Sequence, residues 1–423
     1  RSAPPTGRPG AGSDAFRDNL RQPASRPWWL DMTPTVQDYD KYQNWVHIPL
    51  IDPIQRALKE AGYTNPTPIQ QQAVPELLLG KDILGFAQTG TGKTAAFLLP
   101  ILQQLARDPK PREPTKTRSL VLAPTRELVL QIVENFKMYA KHLDLKCMPA
   151  YGGVKKGRQV ERASQGVDMI VACPGRLLHL IEDKAVDLSA VEFLVLDEAD
   201  QMFDMGFVPD LRKIVSLVPA HRQTMLFSAT MPTDIMALSR SILCDPAIVE
   251  VDRVASAAET VDQKVVFIEQ PHKNTLLGQM LEEDPLITRA LVFAGSRRSA
   301  EKTKLRLEER GIVADTIHAG RTQTEREVAL SSFKLGVARV LVATDVAARG
   351  LDIESVSHVI NYDLPKVPET YIHRIGRTGR AGLKGIAISF CSTADEPYLR
   401  EIETLVGRTL PSETSSIGDD CNY

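Results

Sequence analysis

The chain alternates two hydrophobic periods. Apolar runs of strand length, from Asp82 to Phe86, Leu120 to Ala123, Met169 to Ala172, Phe193 to Leu196 and Met225 to Phe227, each end in a polar cluster and give way to helical spacing. The clusters are Ala87 to Thr94, Pro124 to Leu128, Cys173 to Arg176, Asp197 to Asp200 and Ser228 to Thr230. Strands alternating with helices predict a parallel sheet covered on both faces. In such sheets ligands gather at the carboxyl ends of the strands, where each of these clusters falls. Between Asp252 and Asp262 small residues without periodicity interrupt the pattern. It restarts with Leu291 to Phe293, Ile317, Val340 to Ala343, Val359 to Tyr362 and Ile386 to Phe390. The expected fold class is α/β, with two tandem domains at 41–252 and 263–411, a linker at 253–262 and a short tail at 412–423.

Before the first domain, residues 1–40 hold prolines, glycines and arginines with little to bury, which predicts a disordered, mildly basic arm. The chain opens on Arg1, so a segment upstream is expected. Trp28 and Trp29 stand out within the arm: two adjacent indoles seek cover on the folded part or on a partner protein. A length of 423 residues suits two or three domains, and a net charge of −2 excludes a uniformly basic chain, so any polyanion site must be a local groove. No apolar run reaches membrane-spanning length and no secretory pattern opens the chain, which predicts an intracellular protein of cytoplasm or nucleus, without membrane contact. Five cysteines without metal-ligand spacing read as reduced thiols.

The chemistry is concentrated in the clusters. Gln88, Thr89, Gly90, Thr91, Gly92, Lys93 and Thr94 lie between a strand end and a helix start. Glycines there turn backbone N–H groups inward onto phosphate, Lys93 reaches the outer phosphates, and Thr94 offers magnesium a hydroxyl. A plain Gly/Thr turn is the alternative. Asp197 at a neighbouring strand end suits the same magnesium, and Glu198 suits alignment or deprotonation of an attacking water. Tyr63 to Gln70 can stack on and pair with adenine, although a proline-rich turn with a capping glutamine would look much the same. In the second domain Arg377 and Arg380, spaced by glycines, read either as arginine fingers or as a basic turn on RNA phosphate.

Taken in order, Tyr63 with Gln70, Ala87 to Thr94, Pro124 to Leu128, Gly152-Gly153, Pro174 to Arg176, Asp197 to Asp200, Ser228 to Thr230, Gln323 to Arg326, Ala348 to Asp352 and His373 to Arg380 resemble the motifs of the DEAD-box ATP-dependent RNA helicases. The phrasing at Val195 to Phe207 and Thr344 to Asp352 is similar to RhlE-type members. The resemblance implies two RecA-like domains that close over ATP, Mg²⁺ and single-stranded RNA, in a monomer that reads little base sequence. It implies that Tyr63 and Gln70 hold adenine with Trp45 behind them, and that Lys93, Thr94, Asp197 and Glu198 serve phosphate, magnesium and water. Asp352 is implied at the ribose and Arg377 and Arg380 at the phosphates, while Asp200, Ser228, Thr230 and His373 couple hydrolysis to closure. RNA is implied to cross Thr125, Arg126, Gly153, Gly175, Arg176, Gln323, Arg326 and Thr344. Cys173 departs from the family's threonine. An ATP-gated RNA clamp would need the same residues, so the sequence leaves unwinding and clamping unseparated.

Overall fold

Strands buried on both faces favour unbroken apolar runs, and the sequence supplies them at Met169–Ala172, Phe193–Leu196 and Val340–Ala343. The structure, a computed structural model, describes residues 39–87, 90–231, 233–250, 261–345, 356–379 and 385–417. The arm with Trp28 and Trp29, residues 253–260 of the expected linker, Gln88, Thr89, Asp352 and Arg380 lie outside them, and Gln323 is described by its backbone alone. In the first half, helices α1 (Asp52–Glu60) and α2 (Pro68–Leu78) precede strand β1 (Ile83–Phe86) and helix α3 (Lys93–Arg107). Then follow β2 (Ser119–Leu122), α4 (Arg126–Tyr139), β3 (Cys147–Ala150), α5 (Gly157–Ser164), β4 (Met169–Ala172), α6 (Pro174–Glu182) and β5 (Phe193–Leu196). Helices α7 (Ala199–Asp204) and α8 (Val208–Leu217), strand β6 (Gln223–Ser228), α9 (Thr233–Ile242) and β7 (Ala247–Glu250) complete it.

The second half runs β8 (Val261–Phe267), α10 (Lys273–Glu283), β9 (Ala290–Phe293), α11 (Arg297–Glu308), β10 (Ala314–Ile317), α12 (Gln323–Lys334) and β11 (Val340–Ala343). It ends with β12 (His358–Asn361), α13 (Pro368–Ile375), β13 (Gly385–Cys391), α14 (Glu396–Val406) and β14 (Ser412–Thr414). Each half forms a seven-stranded parallel sheet, in the orders β3-β4-β2-β5-β6-β1-β7 and β10-β11-β9-β12-β13-β8-β14. Adding seven to each label of the first order gives the second, so one topology is used twice.

Two boundaries differ from the sequence reading. Strand β8 opens at Val261, inside the expected linker: Val261, Gln263 and Val265 are buried while Asp262 and Lys264 face out, an alternation that acquires meaning once β13 and β14 flank the strand. Ser412–Thr414, assigned to the tail, is an edge strand whose residues are all exposed and which pairs with β8 through its backbone. A polar triplet of this kind carries no side-chain pattern to read.

The repetition sharpens one comparison. Lys93 and Lys273 both open the helix that follows the first strand of their sheet, but the second has no glycine loop before it. Lys273 is fully buried, 3.2 Å from the Asp395 carboxylate and 3.6 Å from that of Asp363. Its charge is thus neutralised inside the domain, so the lysine at this position of the second sheet forms a structural ion pair.

Candidate nucleotide and RNA site

Strand β1 delivers the phosphate loop. The Ala87 amide donates to the Ser228 carbonyl at 3.2 Å, which pins the loop's start to the end of β6. Gly90 and Gly92 have φ of 89° and 97°, the left-handed region where a side chain is strained. At Gly92 space is also lacking, because a Cβ would fall 2.5 Å from Gln70 Nε2. Lys93, buried, folds back so that Nζ donates to the Ala87 carbonyl at 3.0 Å. Among the described residues, that neutral acceptor leaves two of the ammonium's three N–H groups available to an anion.

Gln70 takes the capping role of its two sequence readings and adds a tether. Its Oε1 accepts from the Thr67 amide at 2.8 Å at the start of α2, and its Nε2 donates to the Gly92 carbonyl at 3.0 Å. The glutamine therefore caps a helix and ties that helix to the phosphate loop. One lone pair and one N–H remain on the amide, the complement of an adenine edge. Tyr63 follows the Gly62 turn that closes α1, and its hydroxyl lies 2.8 Å from that of Tyr139, the two rings meeting edge to face. Trp45 is buried in the same core against which Tyr63 packs.

Asp197, Glu198 and Asp200 follow β5. Glu198 is buried at φ 53° and ψ 54°, a conformation that costs a non-glycine residue about 1–3 kcal/mol and here makes the sharp turn from strand into α7. Asp200 is a node. Its Oδ2 accepts from the amides of Ala229 and Thr230, both at 3.1 Å, and from the Thr230 hydroxyl at 3.2 Å. Its own amide donates to Ser228 Oγ at 3.2 Å. From the second sheet, His373 Nε2 approaches the same Oδ2 at 3.8 Å.

Behind His373, Arg374 forms two bonds of 2.6 and 2.7 Å to the Asp345 carboxylate and reaches Asn361 Oδ1 at 3.1 Å. Arg377, buried, follows the end of α13. Its companions Asp352 and Arg380 fall outside the described residues.

The residues assigned to RNA divide between the sheets. Thr125 caps α4 by accepting from the Leu128 amide at 3.3 Å. Arg126 lays its guanidinium over the Tyr151 ring, 4.5 Å from its centre, and its Nη2 meets Glu327 at 3.0 Å. In return Arg326 meets Glu127 at 3.1 Å, so two reciprocal ion pairs join α4 to α12. Arg176 donates to Gln159 Oε1 at 3.2 Å and to the Val154 carbonyl at 3.1 Å, which ties the loop after Gly153 to the first turn of α6, where Gly175 lies. Thr344 follows β11, its amide on the Ile317 carbonyl at 3.2 Å, and Gln323 opens α12.

A family model described as DEAD/DEAH box helicase matches residues 67–238, and one described as Helicase conserved C-terminal domain matches 272–382. The DEAD-box ATP-dependent RNA helicase CshA of Bacillus licheniformis is 40% identical over 380 residues, 90% of this chain and 75% of that protein. The chain belongs to the DEAD-box ATP-dependent RNA helicases. DEAD-box ATP-dependent RNA helicase 30 of Arabidopsis thaliana is 40% identical over 86% of this chain, which spans 63% of that relative's length. Among solved structures, S. cerevisiae Dbp5 bound to RNA and ADP BeF3 superposes with a TM-score of 0.77 at 28% identity, covering 89% of this chain and 97% of that one. Both sheets are thus accounted for as tandem RecA-like domains.

Magnesium fits this DEAD-box site on its own residues. Among the described residues, Asp197 Oδ1 is buried without a hydrogen-bond partner. Burial pushes the pKa of the Asp197 carboxyl above the usual carboxylate range, with the Lys93 ammonium pulling it down and Glu198 pushing it further up. A buried carboxylate oxygen with no donor among the described residues, together with the hydroxyl of Thr94 in the first turn of α3, is a hard-oxygen set suited to that cation. Cys173, where the family carries threonine, is a protonated thiol whose pKa burial raises to about 12.

Four residues that contact the candidate RNA residues are not signalled by the sequence: Tyr151, Gln159, Glu127 and Glu327. Glu127 lies within one motif and Glu327 beside another, but nothing in their spacing says that each meets the other's arginine.

Proposed function

We propose that this chain is an RNA-dependent ATPase that closes its two RecA-like domains over ATP-Mg²⁺ and single-stranded RNA, separating short duplexes or remodelling RNA–protein complexes, with hydrolysis timing release. The single observation that carries this reading is the Asp200 carboxylate, which accepts from the Ala229 amide and the Thr230 hydroxyl in its own domain and faces His373 of the other. The RNA and ADP BeF3 of the Dbp5 structure support the same ligands for this chain. We assign adenine to Tyr63 and Gln70, phosphates to Gly90, Gly92 and Lys93 with Gln88, Thr89 and Thr91, and magnesium to Thr94 and Asp197. Magnesium, when bound, neutralises phosphate charge. Glu198 aligns and deprotonates the attacking water, while Arg377 and Arg380 meet the charge that develops in transfer and Asp352 holds the ribose.

RNA crosses Thr125, Arg126, Gly153, Gly175 and Arg176 on one domain and Gln323, Arg326 and Thr344 on the other. Arg126 supports this path, since its Nε and Nη1 are buried without hydrogen-bond partners among the described residues and suit a phosphate. Contacts to phosphate and 2′-hydroxyl make binding insensitive to base sequence. The protein works as an intracellular monomer, with the arm at 1–40 open to protein partners. No described helix is long and apolar enough to cross a membrane. The test is ATP hydrolysis with and without RNA, beside strand separation of a short duplex. Stimulation with separation is expected, stimulation with retention alone makes the chain a clamp, and hydrolysis indifferent to RNA overturns the proposal.

A further inference from the structure

We infer that the loop and helix from Val154 to Arg162 extend the RNA path beyond the groove between the domains, as an added phosphate-binding surface. The inference rests on the RNA-binding function proposed above and adds residues to it. From Val154 to Gln165 the chain carries Lys155, Lys156, Arg158 and Arg162 against Glu161 alone, a local charge of +4 − 1 = +3 on a chain whose total is −2. A mildly acidic protein that binds a polyanion must gather its positive charge locally, and this segment does so directly after Gly153.

The segment is also held rather than loose. The Val154 carbonyl accepts from Arg176, the Tyr151 carbonyl accepts from Gln159 Nε2 at 3.1 Å, and Lys156 pairs with Asp183 at 2.5 Å past the end of α6. These tethers use Lys156 and leave its neighbours. Lys155, Arg158 and Arg162 are exposed and make no ion pair among the described residues. Arg158 and Arg162 lie one turn apart on α5, and Lys155 precedes it by about another turn. The Arg176 that fixes this loop is one of the groove's own candidate contacts, so a strand leaving Gly153 and Arg176 meets three unpaired cations on a tethered support. Pre-ordered cations lose less freedom on binding than cations on a mobile loop.

The test compares the full chain with its Lys155→Ala/Arg158→Ala variant on oligouridylates of increasing length, reading the RNA concentration that half-saturates ATP hydrolysis. Both proteins should respond alike to the shortest strands that stimulate. On longer strands the variant should need about 3- to 10-fold more RNA, and its log–log salt slope should be shallower by about 1.4, for two phosphates at about 0.7 each. The Lys155→Arg/Arg158→Lys variant should restore both. Thermal unfolding and RNA-free nucleotide binding report that the fold is intact, as both side chains are exposed. Equal length dependence and equal salt slopes overturn the inference, as does a loss that is the same at every length, which would place these residues inside the groove. Absence of RNA stimulation in the unaltered protein overturns the underlying function itself and is read from a different arm of the experiment.

Discussion

The carboxylate of Asp200 lies 3.8 Å from the imidazole of His373, the first on the strand-end cluster of one sheet and the second on the last turn of α13 beside the other. The Asp200 oxygen that faces His373 is the one already holding Thr230 and Ala229. Under the coupling role proposed for these residues, a shift of the Ser228–Thr230 segment during hydrolysis would reach the other domain through that one atom.

His373→Ala should leave the Asp200 contacts within the first domain intact and still cut RNA-stimulated turnover roughly 5- to 150-fold, the range of a typical coupling energy. ATP affinity should hardly change. Steady-state kinetics with nucleotide binding measured separately decides it, and an equal fall in both would make His373 a binding residue.

Gln70→Ala removes both the cap on Thr67 and the tether to Gly92. Preference for ATP over GTP should shrink by roughly 1–3 kcal/mol, the discrimination of a bidentate pair with adenine. Competition binding with the two nucleotides measures it. A parallel loss for both nucleotides would show that the tether alone matters.

Glu198→Gln keeps the side chain's size and removes the charge that activates water. With ATP-Mg²⁺ the variant should retain RNA far longer than the unaltered protein, because the intact γ-phosphate sustains closure. Lys93→Ala, which loses the ammonium over the phosphate loop, should not form the long-lived complex at all. RNA dissociation rates for the three proteins test this, and fast release from an inactive Glu198→Gln would break the link between closure and hydrolysis.

Lys273→Met should destabilise the second domain by about 3–5 kcal/mol, because Asp363 and Asp395 lose the buried charge that both approach. Nucleotide binding in the first domain should survive. Denaturant unfolding followed beside ATP binding separates the two effects.

His358, buried at the start of β12, has its pKa lowered by burial, with Asp284 opposing. The folded chain therefore resists protonation that the unfolded chain accepts, so stability is full above about 6.5 and falls as pH drops through that value. His358→Asn should flatten this part of the pH profile of the unfolding midpoint. An unchanged profile would assign the acid sensitivity elsewhere.

The motifs were legible because phosphate, magnesium and adenine chemistry demand particular residues in short contiguous runs, and the strands beneath them because burial on both faces demands unbroken apolar runs. Met169–Ala172, Phe193–Leu196 and Val340–Ala343 are read from the sequence with the boundaries they have in the structure. Elements lacking such a run were not legible. Strand β3 contains Pro149 and is tolerated at the sheet's edge, and β14 is three exposed polar residues ordered by backbone pairing. Gln70 could be read as cap or as adenine contact, and only the packing of α2 against the phosphate loop made it a cap and a tether together. The reciprocal pairs of Arg126 with Glu327 and Arg326 with Glu127 join residues some 200 positions apart, and Asp200 with His373 nearly as many. Local sequence specifies what a strand end can bind, because that depends on neighbours along the chain. Which charge faces which across the two domains depends on how the sheets are brought together, and that is decided by tertiary structure.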